Sequence, residues 1–268
     1  MPTAHVNGLD LYYERAGAGP PLLFISGTGG DLRNKPNQFD GPLPKAFDMV
    51  SYDQRGLGRS DKPDLAYTMA DYADDAAALM EALGLDKAHV IGVSFGGMVA
   101  QELVLRHPSR VDRLVLACTS PGGAGGASFP FHEIEHLKGE ARAKHLMPIS
   151  DTRRDAAWAA SNPELYAQFV AMGASDPFEG EPGREMGARR QLEARAHHDT
   201  WERLGQITAP TLIAAGRYDG IALPETQEKL AGRIKGATLR FFEGGHLFMI
   251  QDRTATAAMI AFLKGEAV

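Results

Sequence analysis

With 268 residues, 44% of them hydrophobic and 23% charged, the chain is long enough to bury one full α/β core, and its composition excludes a disordered protein. A net charge of −6 argues against general affinity for nucleic acid or for an anionic membrane surface. The single cysteine, Cys118, rules out an intrachain disulfide framework and fits a reducing compartment.

The first positions, Met1-Pro-Thr-Ala-His-Val, lack the basic start and apolar core of a signal peptide. Nor does any apolar run approach the roughly 18 residues needed to span a bilayer, so a cytoplasmic location is expected. His5-Val6, a turn at Asn7-Gly8 and the run from Leu9 to Arg15 predict an N-terminal hairpin. Leu22 to Ile25 reads as a buried parallel-type strand, and Phe47 to Tyr52 as the next. Met69 to Leu83 is amphipathic, with Thr68 placed to cap its start and Gly84 to stop it.

Val90-Ile-Gly-Val93 is a short β-branched run, and an apolar helix starts near Met98 and ends before Pro108. Ser94 stands at the corner between them, flanked by Gly92 and Gly96. A sharp strand-to-helix corner strains its central residue, and small neighbours would keep the approach of a substrate open. The helix start offers unpaired N–H groups and the positive end of the dipole, which favour negative charge beside Ser94. Gly-x-Ser-x-Gly in this setting is the pattern of a nucleophile elbow, although a glycine-rich turn with a chance serine would look the same in isolation.

Val111 to Cys118 is a further apolar strand. Repeated strand–helix units imply parallel pairing with helices on both faces, and ligands then bind outside the carboxyl ends of the strands. The rhythm breaks after Thr119. Pro121 to Ser128 reads as a flexible, glycine-rich exit, and the chain as far as Thr200 predicts only helices, at 131–146, 152–160, 163–173 and 185–196. This divides the chain into a core of 1–120 and 201–268 and a helical cap of 121–200. Strands resume at Pro210 to Ala215 and Thr238 to Phe242, with helices at 224–234 and 254–263.

Four motifs carry a resemblance: Gly92-Val-Ser94-Phe-Gly96-Gly97, Asp53-Gln-Arg55-Gly-Leu-Gly58-Arg-Ser60, Ala215-Gly-Arg-Tyr-Asp219 and Gly244-Gly-His246. Over nearly its whole length the chain resembles the α/β-hydrolase fold superfamily, and within it the small lidded esterases and lactonases of the 3-oxoadipate enol-lactonase-like group. The resemblance implies an α/β fold with a mostly parallel central sheet, helices on both faces and a helical lid. It implies a Ser94–Asp219–His246 triad, because Ser…Asp…His is the order this fold uses. Imidazole can take the serine proton and return it to a leaving group, while a carboxylate fixes its tautomer. Asp252 and Asp199 are rival acids, better explained as helix caps. His107 would complement a helix dipole, and His89 begins a strand.

An oxyanion needs two donors. The backbone N–H of Phe95 is one, and the loop Ser26-Gly27-Thr28-Gly29-Gly30 should supply the other, through Thr28 or Gly29. Related enzymes usually carry His-Gly where this chain has Ser26-Gly27. The Asp53–Ser60 segment is expected to be scaffold rather than a binding loop. Gly27, Gly29, Phe129, Trp158, His198 and Leu247 are candidate substrate-binding residues. The aromatics, with Trp201, could equally pack the cap onto the core.

Arg184, Arg189, Arg190, Arg195, His197 and His198 make a basic stretch that would suit a carboxylate-bearing substrate. Glu185–Arg189 and Glu193–His197 pairs on a solvated helix would account for it as well. No metal-ligand spacing and no nucleotide-binding loop is present, so no cofactor is expected. The expected function is cofactor-independent hydrolysis of a small carboxylic ester or lactone, with no nucleic-acid or membrane partner, as a monomer or homodimer. The same triad could instead cleave carbon–carbon bonds or form peracids, and the fold could serve a non-enzymatic ligand receptor.

Overall fold

The computed structural model describes residues 2–268. Eight strands form one sheet: β1 (Thr3–Val6), β2 (Leu9–Ala16), β3 (Pro21–Ile25), β4 (Asp48–Tyr52), β5 (Ala88–Val93), β6 (Val111–Ala117), β7 (Thr211–Gly216) and β8 (Thr238–Phe242), in the order β1-β2-β4-β3-β5-β6-β7-β8. The hairpin β1–β2 and the β2–β4 pair are antiparallel, and every other pairing is parallel. The helices, in chain order, are α1 (Leu43–Ala46), α2 (Met69–Ala82), α3 (Phe95–Arg106), α4 (Gly139–Ser150), α5 (Ala156–Ser161), α6 (Pro163–Ala174), α7 (Arg184–Ala196), α8 (Pro224–Arg233), α9 (Phe248–Gln251) and α10 (Arg253–Leu263).

Period-two alternation sorts each parallel strand between two cores. Leu23, Ile25, Val90, Leu114, Leu116 and Ile213 face one side, with α2 and α3 packed on them. Leu22, Phe24, Ile91, Val115, Leu212 and Ala214 face the other, with Met259 and Phe262 of α10. Burial on both faces is why these strands read as unbroken apolar runs. Thr68 caps α2 in a capping box with Asp71, and the Asp252 side chain caps α10.

Between β6 and β7 the chain forms α4 to α7 and short 3-10 turns, with no strand among the described residues. Its ends are pinned together, since Gly122 bridges Asp199 and Thr200 N–H donates to Pro121 O at 2.8 Å. α4 to α6 share a small core of Ala143, Met147 and Val170, against which Trp158 and Phe169 pack. The expected helix over 131–146 is broken. A 3-10 turn at Phe131–Ile134 precedes α4, whose first residue, Gly139, has φ +49°.

The glycine-rich exit is closely packed. A Cβ on Gly122 would lie 2.0 Å from His198 O, and one on Gly125 would lie 2.3 Å from the Trp201 ring. These glycines let two segments of the chain pass in contact. Among the described residues no helix is long and apolar enough to cross a membrane.

Candidate active site

Three loops at the carboxyl ends of β5, β7 and β8 bring Ser94, Asp219 and His246 together. Ser94 has φ 55° and ψ −114°, a strained conformation at the turn from β5 into α3. Its N–H donates to Ala117 O at 2.8 Å, and its carbonyl accepts from the Thr119 hydroxyl at 2.7 Å, so the neighbouring strand holds the corner on both sides. The flanking glycines are required by close backbone contacts. A Cβ on Gly92 would sit 2.3 Å from Gly96 O, and one on Gly96 would sit 2.1 Å from Ile25 O. They permit α3 to press against its own strand and against β3.

The Ser94 hydroxyl lies 2.9 Å from His246 Nε2, and His246 Nδ1 lies 2.8 Å from Asp219 Oδ2. An ionised carboxylate only accepts, so Nδ1 carries the proton and Nε2 is left to accept from the serine O–H. Asp219 is 1% exposed, and its other oxygen accepts from the N–H groups of Ile221 and Ala222 at 2.8 and 2.9 Å. Those two bonds fix the carboxylate plane. Cys118 brings its sulfur within 4.8 Å of ligand atoms of Asp219 and His246, but burial and the Asp219 charge push its thiol pKa up, away from the thiolate a metal would need. Both imidazole nitrogens are already engaged.

The loop after β3 closes the other side. Gly27-Thr28-Gly29-Gly30 is a turn with Gly30 N–H donating to Gly27 O and Gly29 at φ +71°, where a side chain would be strained. Gly27 lies against Ser94, and a Cβ added to it would fall 3.5 Å from Ser94 Cβ. Gly29 N–H is committed to Gln191 Oε1 at 2.8 Å, so it is not available to an oxyanion. Among the described residues the Thr28 amide N–H has no hydrogen-bond partner.

The Asp53–Ser60 segment is scaffold. Asp53 accepts from Leu32 N–H at 2.7 Å and Arg59 N–H at 2.9 Å, and Gln54 donates to Ser26 O at 2.9 Å, which ties the turn to the β3 loop. Burial pushes the Asp53 carboxyl up to about 6, against those two amides. Arg55 pairs with the buried Asp75 at 2.6 Å.

The remaining candidates divide. Phe129 and His198 line a small pocket beside Met98 and Ser120. Trp158 does not join them: it stacks on Phe169 and lines a separate open groove of about 330 Å³ with Asp151, Arg153, Arg154 and Leu165. Leu247, next to His246, is half exposed. The expected ion pairs on α7 are also rearranged. Glu185 pairs with Lys138 and Arg189 with Glu193.

One supporting arrangement has no signature in the sequence. Helix α4 ends with unsatisfied carbonyls, as every helix does. Ile149 O accepts from Gly220 N–H at 3.0 Å and Ser150 O accepts from His246 N–H at 2.6 Å, so one helix terminus grips both the acid loop and the histidine loop. Asp151, the next residue, accepts from Gln251 Nε2 at 3.0 Å, and Gln251 Oε1 accepts from Gly245 N–H at 2.8 Å.

A mostly parallel sheet with a serine at the β5 corner and an acid and a histidine after β7 and β8 defines an α/β-hydrolase. Residues 20–252 match the family model described as alpha/beta hydrolase fold, and the chain belongs to that family. It is 33% identical over 251 residues to "Putative carbamate hydrolase RutD" of Variovorax paradoxus (strain S110), covering 91% of this chain and 92% of the relative. It is 28% identical over 262 residues to "Putative non-heme bromoperoxidase BpoC" of Mycobacterium tuberculosis (strain CDC 1551 / Oshkosh), covering 95% and 97%. Among solved structures, the enol-lactonase from Burkholderia xenovorans LB400 superposes with a TM-score of 0.80 at 25% identity, covering 99% of this chain and 100% of that one.

Proposed function

We propose that the protein is a serine hydrolase that cleaves a carboxylic ester or lactone of a small molecule, without a cofactor. The observation that carries this reading is the unbroken hydrogen-bond relay from Ser94 through His246 to Asp219. His246 takes the Ser94 proton as Oγ attacks the substrate carbonyl, and Asp219 stabilises the imidazolium that results. The negative oxygen of the tetrahedral intermediate is held by the N–H groups of Phe95 and Thr28. His246 then returns the proton to the leaving alkoxide, an acyl group stays on Ser94, and water activated by the same imidazole releases the acid.

In this reading residues 1–120 and 201–268 are the catalytic core, and 121–200 form the cap over it. The names of the carbamate hydrolase and enol-lactonase relatives support attack on an acyl carbon. A carbamate would be opened by the same steps, since its carbonyl presents the same electrophile. The test is steady-state hydrolysis of short p-nitrophenyl esters. Ser94→Ala is expected to lower kcat by roughly 10⁴-fold or more at unchanged melting temperature. Equal turnover by wild type and Ser94→Ala would overturn the assignment.

A further inference from the structure

The loop that carries the Thr28 N–H is ill suited to hold still by itself. Thr28 and Gly29 are exposed, so no packing on the protein core fixes them. Within the loop one hydrogen bond closes the turn, from Gly30 N–H to Gly27 O at 3.1 Å. A donor that must stay aimed at one point has to lose the backbone freedom such a segment keeps. Phe95 has no comparable need. It is the first residue of α3, and Ser94 before it is bonded to the chain of β6 and to Thr119.

The missing restraint comes from α7. Gln191 is fully buried, and its Oε1 accepts from Gly29 N–H at 2.8 Å. One turn further on, Arg195 Nη1 donates to the Thr28 hydroxyl at 3.3 Å, a contact with the side chain only. On the other flank Gln54 donates to Ser26 O at 2.9 Å. Among the described residues no group but Gln191 bonds the backbone of Thr28 or Gly29. The helix is a firm base for this bond. A Cβ on Gly187 would lie 2.0 Å from Gly56 O, so α7 meets the Asp53–Ser60 turn backbone to backbone. Arg190 pairs with Asp64 at 2.9 Å and Arg184 with Asp31 at 3.1 Å.

Gln191 uses only half of its amide. Gly29 N–H is a donor, so the oxygen must face it, and Nε2 is left buried with no acceptor. An unpaired buried amide nitrogen works against folding, and a methionine of similar volume would avoid it. What glutamine supplies and an apolar side chain cannot is the acceptor for Gly29.

We propose that Gln191 is a positioning residue: by holding the Gly29 amide it keeps the Thr28 N–H aimed at the oxyanion, so that α7 helps to set the rate of the chemical step. This rests on the roles proposed for Ser94 and Thr28. The Thr28 N–H lies between two held groups, Ser26 O and Gly29 N–H. Release of the second frees rotation about the Thr28 backbone while leaving the donor itself in place.

The experiment follows hydrolysis of p-nitrophenyl butyrate by the full-length wild type, Gln191→Met and Gln191→Asn. Gln191→Met should lower kcat by roughly 10- to 100-fold, less than the roughly 10²–10³ that follows outright loss of an oxyanion donor. KM should stay within about twofold and the melting temperature should not fall. Gln191→Asn withdraws the acceptor by about 1.5 Å and should give an intermediate loss. It also covers the case in which the methionine variant does not fold.

A pair of ketones identifies the cause. Ser94 Oγ adds to the carbonyl carbon of trifluoromethyl pentyl ketone, the π electron pair becomes an oxyanion, and the serine proton passes to His246. Its inhibition constant should rise in the variants by the factor by which kcat/KM falls. That of methyl pentyl ketone, which binds without addition, should stay within about twofold.

Wild-type kcat in both variants would overturn the proposal. So would a raised KM at unchanged kcat, which would make Gln191 part of the pocket wall. A lowered kcat with unchanged inhibition by the fluorinated ketone would do the same. Equal weakening of both ketones together with a lower melting temperature would mark a structural brace and would also overturn it. If the wild type neither hydrolyses the ester nor adds to the fluorinated ketone, the hydrolase reading fails and this proposal with it. An active wild type matched by its variants fells this proposal alone.

Discussion

Ser94 is held in an unfavourable conformation by bonds from a neighbouring strand, and the glycines around it are dictated by backbone contacts of 2.1 to 2.3 Å that a methyl group would create. The motif was legible because its spacing reports a geometry that few other residues tolerate. His198 was legible as a candidate but not in its environment. It is 7% exposed, with Nε2–H donating to Ser120 O at 3.2 Å, and burial pushes its pKa down to about 4 despite the nearby charges of Glu102 and Asp199. With the folded value below the ordinary 6.5, the unfolded chain binds the extra proton first as pH falls. Stability is therefore fully present above pH 6.5 and is lost between 6.5 and about 4, by at most about 3 kcal/mol. Asp53, whose carboxyl is raised, acts in the opposite sense over part of that window, so the measurement is a difference. Melting temperatures of wild type and His198→Gln should diverge in favour of the variant as pH drops from 6.5 to 4. Parallel curves would show that the imidazole does not carry this dependence.

Among the elements, the parallel strands, the hairpin and the long helices α2, α3, α6 and α7 fall close to their expected positions, because each is written in local periodicity or in a cap. What the sequence did not disclose are contacts between distant segments. Gly29 and Gln191 are 162 positions apart, and no local pattern announces that one will satisfy the other. The grip of α4 on the acid and histidine loops is of the same kind. Gly220 and Gly245 make it possible, since side chains there would press on Ile149 O and Ser150 O. Gln251 completes it by bridging Gly245 to Asp151, whose carboxyl burial alone would raise but Arg153 holds below the ordinary range. Gln251→Ala removes that bridge without touching substrate. It is expected to cost about 1–2 kcal/mol of stability and to lower kcat about tenfold with little change in KM. A variant with wild-type kcat would show that the histidine loop holds its position unaided.

For the molecule as a whole, the parallel sheet brings three strand ends to one edge, and the helical segment between β6 and β7 returns to within a hydrogen bond of its starting point. Through Arg195 and Gln191 that segment also reaches the loop beside Ser94. The proposed chemistry turns on which atom forms the covalent bond. Treatment with diethyl p-nitrophenyl phosphate, followed by intact-mass and peptide mass spectrometry, reads this directly. One diethylphosphoryl group per chain on the peptide containing Ser94, with loss of ester hydrolysis in step, is the predicted result. Labelling at another residue, or full hydrolytic activity in protein quantitatively labelled at Ser94, would contradict it.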